Sequence, residues 1–298
     1  MSRTASDSDV DTPHSLRRIR AALVAVGVGV YLGAAIAVAV GAHGRIRFTA
    51  DGTATIPMWH PWLPAAAGVA LALLIPPKRS AWAGHPTPAR DRMEACALLA
   101  LAVVFTLALT LLGPSEPNYT LLKVGLLVVC PLLLFAAGRR RAKTTVERES
   151  ALVDGGQSLL NWRPLIPVLG WAITHMALSV HGPAQHLDID GVTLAVALVV
   201  GFVINAVVEE FFYRRWLQTR WNRILGGTWP AIILSALVWA SWHIAIQGSG
   251  DLVLDLANVI VNQGITGLFL GLLWARYRSM WPLLVTHGLM NANPVTLF

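Results

Sequence analysis

Apolar runs of about 20 residues recur along nearly the whole chain, and that recurrence restricts the fold more than any other feature. A hydrocarbon core of about 30 Å takes about 20 helical residues to cross. Candidate spans fall near residues 21–42, 62–76, 93–113, 121–138, 165–180, 190–215, 229–247, 252–275 and 281–296. The pattern predicts an all-α, polytopic transmembrane helical bundle of eight or nine spans. Only 13% of the 298 residues are charged, against about 25% in ordinary soluble domains. With a mean hydropathy of +0.58, a soluble fold would lack the polar surface to cover itself. The second run is short and flanked by Pro61, Pro64, Pro76 and Pro77, which suits a tilted, re-entrant or interfacial segment.

Charge distribution orients the bundle. With nine spans and the N-terminus inside, alternate loops divide Lys and Arg very unevenly: 20 of 23 fall inside, leaving Arg45, Arg47 and Lys123 for the other face. That is the positive-inside bias of a multi-pass protein of the cell membrane with a cytoplasmic N-terminus. The net charge of +7 is therefore a topology signal, and nucleic acid is not an expected partner. The lipid bilayer is. Cys96 and Cys130 both lie inside apolar runs and read as small buried hydrophobes. No internal repeat suggests the plan of a secondary transporter.

Four regions follow. Residues 1–16 are polar and predict a disordered N-terminal tail, 17–138 a transmembrane scaffold, 139–163 a charged cytoplasmic loop, and 164–298 the part that carries the chemistry. The first four spans hold almost no ionisable residue at membrane depth. The later spans hold several.

Foremost are Glu209 and Glu210, at the end of an apolar run and followed by Arg214. A charge near the bilayer centre costs from about 3 to more than 10 kcal/mol. On a helix Glu210 and Arg214 share a face as an i, i+4 pair, while Glu209 points about 100° away and is left for chemistry. The alternative is a helix that ends at the cytoplasmic surface with both carboxylates solvated. Trp216, Trp221 and Trp229 resemble an interfacial belt, which sets Glu209 about 10 Å below Trp216. His243 lies about 21 Å along its helix from Trp229, so it is expected some 10 Å deeper than Glu209 unless that helix tilts. His287 and Asn291 are four apart on the last helix and share a face. An imidazole and a carboxamide together supply donors for a developing oxyanion. Asn258, Asn262 and Gln263 offer amides for a polar cavity, Gly267 and Gly271 permit close helix approach, and His175 reads as structural.

Taken together, Glu209-Glu210-xxx-Arg214, His243 and His287-xxx-Asn291 resemble the CPBP family of intramembrane proteases, which includes type II CAAX prenyl proteases and bacteriocin-immunity relatives. The segment Gly271–Pro282 resembles the family's approach to its last motif. The likeness extends over about residues 165–298, with Trp239 standing where the family usually has Phe. It implies an endopeptidase in which Glu209 and His243 activate water. His287 and Asn291 would stabilise the oxyanion, and Glu210 with Arg214 would hold the first carboxylate. A desolvated carboxylate is a better general base at neutral pH. The expected substrate is a membrane, lipidated or peptide partner. No cofactor is required on this reading; the alternative is zinc on Glu209, His243 and His287, which suit that metal by donor type. A non-catalytic, immunity-like binding protein and a proton-coupled transporter are the competing functions. The oligomeric state is not legible.

Overall fold

The computed structural model describes residues 14–47, 54–76, 89–141, 162–180 and 190–297. The polar tail over residues 1–13 and most of the charged loop, 142–161, lie outside these. Nine helices carry the described fold: α1 (His14–Gly41), α2 (Trp62–Leu74), α3 (Ala89–Leu112), α4 (Asn118–Gly138), α5 (Leu165–Ser179), α6 (Gly191–Leu225), α7 (Thr228–Gln247), α8 (Leu252–Tyr277) and α9 (Met280–Asn291). A two-stranded antiparallel hairpin, β1 (Arg45–Arg47) with β2 (Thr55–Pro57), follows α1 and pairs Ile46 with Ile56. A single turn, Pro294–Leu297, ends the described chain.

The bundle is all-α and polytopic, as the apolar runs require. Among the described residues six helices are long and apolar enough to cross a membrane: α1, α3, α4, α6, α7 and α8. The 13 residues of α2 and 15 of α5 rise only about 20 and 22 Å. They pack on each other and on the core, with Gly170 of α5 against Leu71 and Gly68 of α2 against the Phe269 ring. The 12 residues of α9 rise about 18 Å and begin inside the bundle rather than at its end. A run of apolar residues reports burial as readily as lipid contact, and these three are shorter than the full hydrocarbon thickness.

Local chemistry marks the helix ends. Asp190 caps α6 by accepting from the Val192 and Thr193 amides, and Asp251 caps α8 through Val253 and Leu254. Gly226, at φ +57°, ends α6 in the left-handed conformation that glycine adopts without a Cβ penalty. Stretches of wider, π-type winding interrupt α4 (Gly125–Val129), α6 (Phe202–Val207 and Glu210–Gln218) and α8 (Ile260–Gly264). Such bulges re-aim side chains and often mark functional sites.

The helix ends alternate as the loop charges suggested. At one end Arg20 donates to the Leu225 carbonyl, Arg163 to Pro76 at 2.9 Å, and Arg276 to Ile75 at 3.3 Å. There too Arg220 and Arg223 of α6 meet Glu94 and Asp91 of α3. At the other end Arg45 binds Thr55, and the Arg47 backbone is held by Asn258 and Asn262. Those two amides thus pin the hairpin to α8 rather than line a cavity. Gln263 instead donates to Gln247 at 3.0 Å.

The core lies where α7 and α8 cross. A Cβ on Gly267 would fall 3.0 Å from the Trp239 ring, and one on Gly271 3.0 Å from Ile232. The glycines therefore let the two axes approach. Ser235 of α7 donates to the Tyr213 carbonyl, and Gln218 of α6 to the Gly271 carbonyl. These bonds fix α6 against both central helices. The first half of α6 behaves differently, since Val192, Val196, Val199 and Val200 are exposed and form an apolar face suited to lipid.

Candidate active site

Glu209 and Glu210 are both buried, at 1% and 0% exposure, so the surface-solvated alternative does not hold. The helix does not end at Trp216. It continues to Leu225, and Trp216 is half-buried against Phe135 and Phe211 instead of forming a belt. Glu209 is thus 16 residues, about 24 Å, from the end of α6, while His243 is about 22 Å from the start of α7. The expected mismatch in depth came from the wrong reference point. It disappears.

α9 reaches the same level from a different start. Arg278, in the turn before it, donates to Thr219 Oγ1 at 3.0 Å. That places the start of α9 beside Thr219, about 9 Å in from Leu225. Seven further residues bring His287 level with Glu210, and His287 Nδ1 lies 2.7 Å from Glu210 Oε1.

The indole of Trp239 is the hub of the arrangement. Its Nε1–H donates to Glu209 Oε2. Its ring centroid lies 5.1 Å from that of His243 and 5.5 Å from that of His287. The Arg214 guanidinium sits over its face at 4.5 Å. His243 falls at a break in α7, between the helical segment ending at Ser241 and the one starting at Ile244. Its Nδ1 is 3.1 Å from the Trp239 carbonyl, and Trp242 packs against its ring at 3.9 Å. With Nδ1 occupied by the backbone, Nε2 is the atom left to face a reactant.

Pairing among the charged groups differs in detail from the spacing argument. Arg214 Nε is 3.4 Å from Glu210 Oε2, a loose ion pair, and the close partner of Glu210 is His287. Asn291 is exposed and lines a cavity of about 430 Å³ between the first half of α6 and α9. Leu198, Phe202, Leu284, Val285 and Leu289 make its walls apolar, and Asn205 and Asn291 give it polar points.

Lys123 lies elsewhere than its loop charge predicts. It is fully buried on α4, and its Nζ is 2.5 Å from Glu209 Oε1. Counted as a loop charge, it belongs instead to the chamber, and Glu94 is a second buried ionisable group in the first four spans. The cost argument that flagged Glu209 applies equally to a lysine inside an apolar run. Tyr119, four residues earlier on the same face, was a further signal. The indole N–H of Trp239 is a second such contribution, a donor that a Phe at that position would lack.

His175 stacks on Trp171 at 4.7 Å and faces Asn293, which donates to Ser179 at 2.7 Å. That is a packing role at some distance along the bundle. Among the described residues no three of His, Cys, Asp and Glu gather as a metal site.

Residues 191–293 match the family model described as type II CAAX prenyl endopeptidase Rce1-like. Over this stretch the chain is similar to that family. The match covers about a third of the chain and takes in α6 to α9, with Glu209, Glu210, Arg214, His243, His287 and Asn291. It supports an intramembrane protease of the type II CAAX class, with membrane-associated protein substrates. No curated protein and no solved structure matches the chain.

Proposed function

We propose that this protein is a CAAX-type intramembrane endopeptidase in which Glu209 is the general base. Glu209 takes a proton from water while His243 Nε2 orients that water toward a peptide carbonyl. His287 and Asn291 face the developing oxyanion, and Glu210 holds His287 in position with Arg214 behind it. What carries this reading is the convergence of a carboxylate and two imidazoles on one buried indole. Preorganised donors in a water-poor chamber are worth far more than the same groups in solution.

The adjacent apolar cavity, open between α6 and α9, suits the lipid or apolar part of a membrane-bound substrate. Its polar points, Asn205 and Asn291, lead from the chain-binding space toward the carboxylates. Catalysis on this reading needs no metal, and a positive observation favours that: an ammonium occupies the side of Glu209 that a dication would take. The positive-inside bias supports reading the end of the bundle rich in Arg as the cytoplasmic one, with the N-terminus inside.

The experiment is cleavage of a prenylated CAAX peptide by the purified protein in vesicles. Glu209→Gln and His243→Ala are expected to abolish cleavage while leaving insertion and folding intact. Cleavage that survives both substitutions overturns the proposal. A phenotype that persists in both variants would instead mark a non-catalytic binding protein.

A further inference from the structure

The site is not confined to the stretch that matches the family. α4 and α6 face each other with two i, i+4 pairs in register, Tyr119 and Lys123 on one side, Asn205 and Glu209 on the other. Lys123 Nζ donates to Glu209 Oε1 at 2.5 Å, to Asn205 Oδ1 at 2.8 Å and to the Tyr119 hydroxyl. Tyr119 in turn donates to Asn205 Oδ1 at 2.7 Å. An ammonium has three donors, and all three are used. The rings of Tyr119 and Trp242 lie 4.4 and 4.7 Å from the same nitrogen, and Trp242 also packs against His243. A lysine fixed on this many sides has one position, and it passes that order on to the carboxylate.

We infer that Lys123 is a positioning residue for Glu209, supplied by the half of the chain outside the family match. It holds Glu209 as a carboxylate, with Oε1 on the ammonium and Oε2 on the Trp239 indole. The carboxylate plane is thereby set toward His243. A buried carboxylate stripped of its counter-cation avoids isolated charge by becoming neutral, and a neutral acid cannot serve as the base. The inference rests on the reading of Glu209 as that base, but the pairing itself is testable without any cleavage assay.

Lys123→Met and Lys123→Arg in the full-length protein form the test, with two readouts. The first is labelling of Glu209 by dicyclohexylcarbodiimide, an apolar reagent for protonated carboxyls, read by peptide mass. Glu209 is expected to stay unlabelled in the wild type and in Lys123→Arg, and to be labelled in Lys123→Met. The second is cleavage of the prenylated peptide. Misplacement of a reacting group by about 1 Å costs about 100-fold in rate. Lys123→Met should therefore lose about 100-fold in kcat with little change in KM, and Lys123→Arg should restore most of it.

Labelled wild-type Glu209 overturns the inference, as does a folded Lys123→Met that stays unlabelled and cleaves at the wild-type rate. If the wild type cleaves nothing, the protease reading fails, while the labelling still decides the pairing. If Lys123→Met fails to fold, the double variant Lys123→Met/Glu209→Gln removes both charges. Recovery of folding supports the pair, and failure of both variants alike overturns it.

Discussion

The indole of Trp239 offers a clean measurement, because a matched control lies three residues away. Trp239 and Trp242 are both buried to 1% exposure or less, and each ring lies against a cation and against His243. Their N–H groups differ. That of Trp239 donates to the buried carboxylate of Glu209, whereas that of Trp242 has no hydrogen-bond partner among the described residues. Trp→Phe removes the same volume at both positions and leaves a ring for the cation. A hydrogen bond to a charged group contributes about 1.5–3 kcal/mol. Trp239→Phe should therefore destabilise the protein by about 2 kcal/mol more than Trp242→Phe. In thermal unfolding of the detergent-solubilised protein that difference corresponds to about 3 °C in Tm. If the bond also aims Glu209, cleavage should fall by about tenfold for each 1.4 kcal/mol withdrawn from the transition state. Equal Tm values for the two variants would refute the assignment of the indole as a functional donor. Unchanged cleavage by Trp239→Phe would limit its role to packing.

Further outcomes follow from other parts of the bundle. Glu94→Gln removes the carboxylate that Arg220 meets at 2.6 Å and Arg90 at 2.7 Å; leaving Arg220 uncompensated should cost about 3 kcal/mol, read as a lowered Tm. Gly68→Ala drives a methyl to within 2.5 Å of the Phe269 ring and should cost about 1–3 kcal/mol by overpacking α2 against α8, also measured by thermal unfolding. The Thr193 hydroxyl and amide hold the carboxyl of Asp190 below the usual carboxylate range. A carboxyl depressed in the folded state adds stability above its unfolded pKa and loses it as pH falls through the folded value. The first turn of α6 should therefore fray only at strongly acid pH, seen as faster amide exchange at Val192 and Thr193; Asp190→Asn should abolish that pH dependence.

Much of the bundle could be read directly from the chain. The membrane class follows from apolar runs alone, because lipid leaves no other way to bury them. The alternation of helix ends follows from the loop arginines, because charge is costly to translocate. The motif residues could be read as a group, since each is a polar residue in an apolar run and the spacings within each helix are fixed by 3.6 residues per turn.

Three things could not be read that way. Span number is not fixed by composition at α2, α5 and α9, because apolar composition is the same whether a helix faces lipid or a packed interior. Depth failed at Glu209, because tryptophan marks interfaces only on average, and here Trp216 is packed between Phe135 and Phe211. Pairing failed at Lys123 and His287, because spacing predicts neighbours along a helix and says nothing of neighbours across one. The sequence by itself therefore determined a multi-pass helical protein with a set of Glu, His and Asn residues inside apolar runs late in the chain. Only the tertiary structure decided that His287 meets Glu210, that Trp239 joins the set, and that a lysine 86 residues before Glu209 completes it. The physical reason is that a buried charge must find its partner in space, and the partner's place in the chain is set by how α4 and α6 pack.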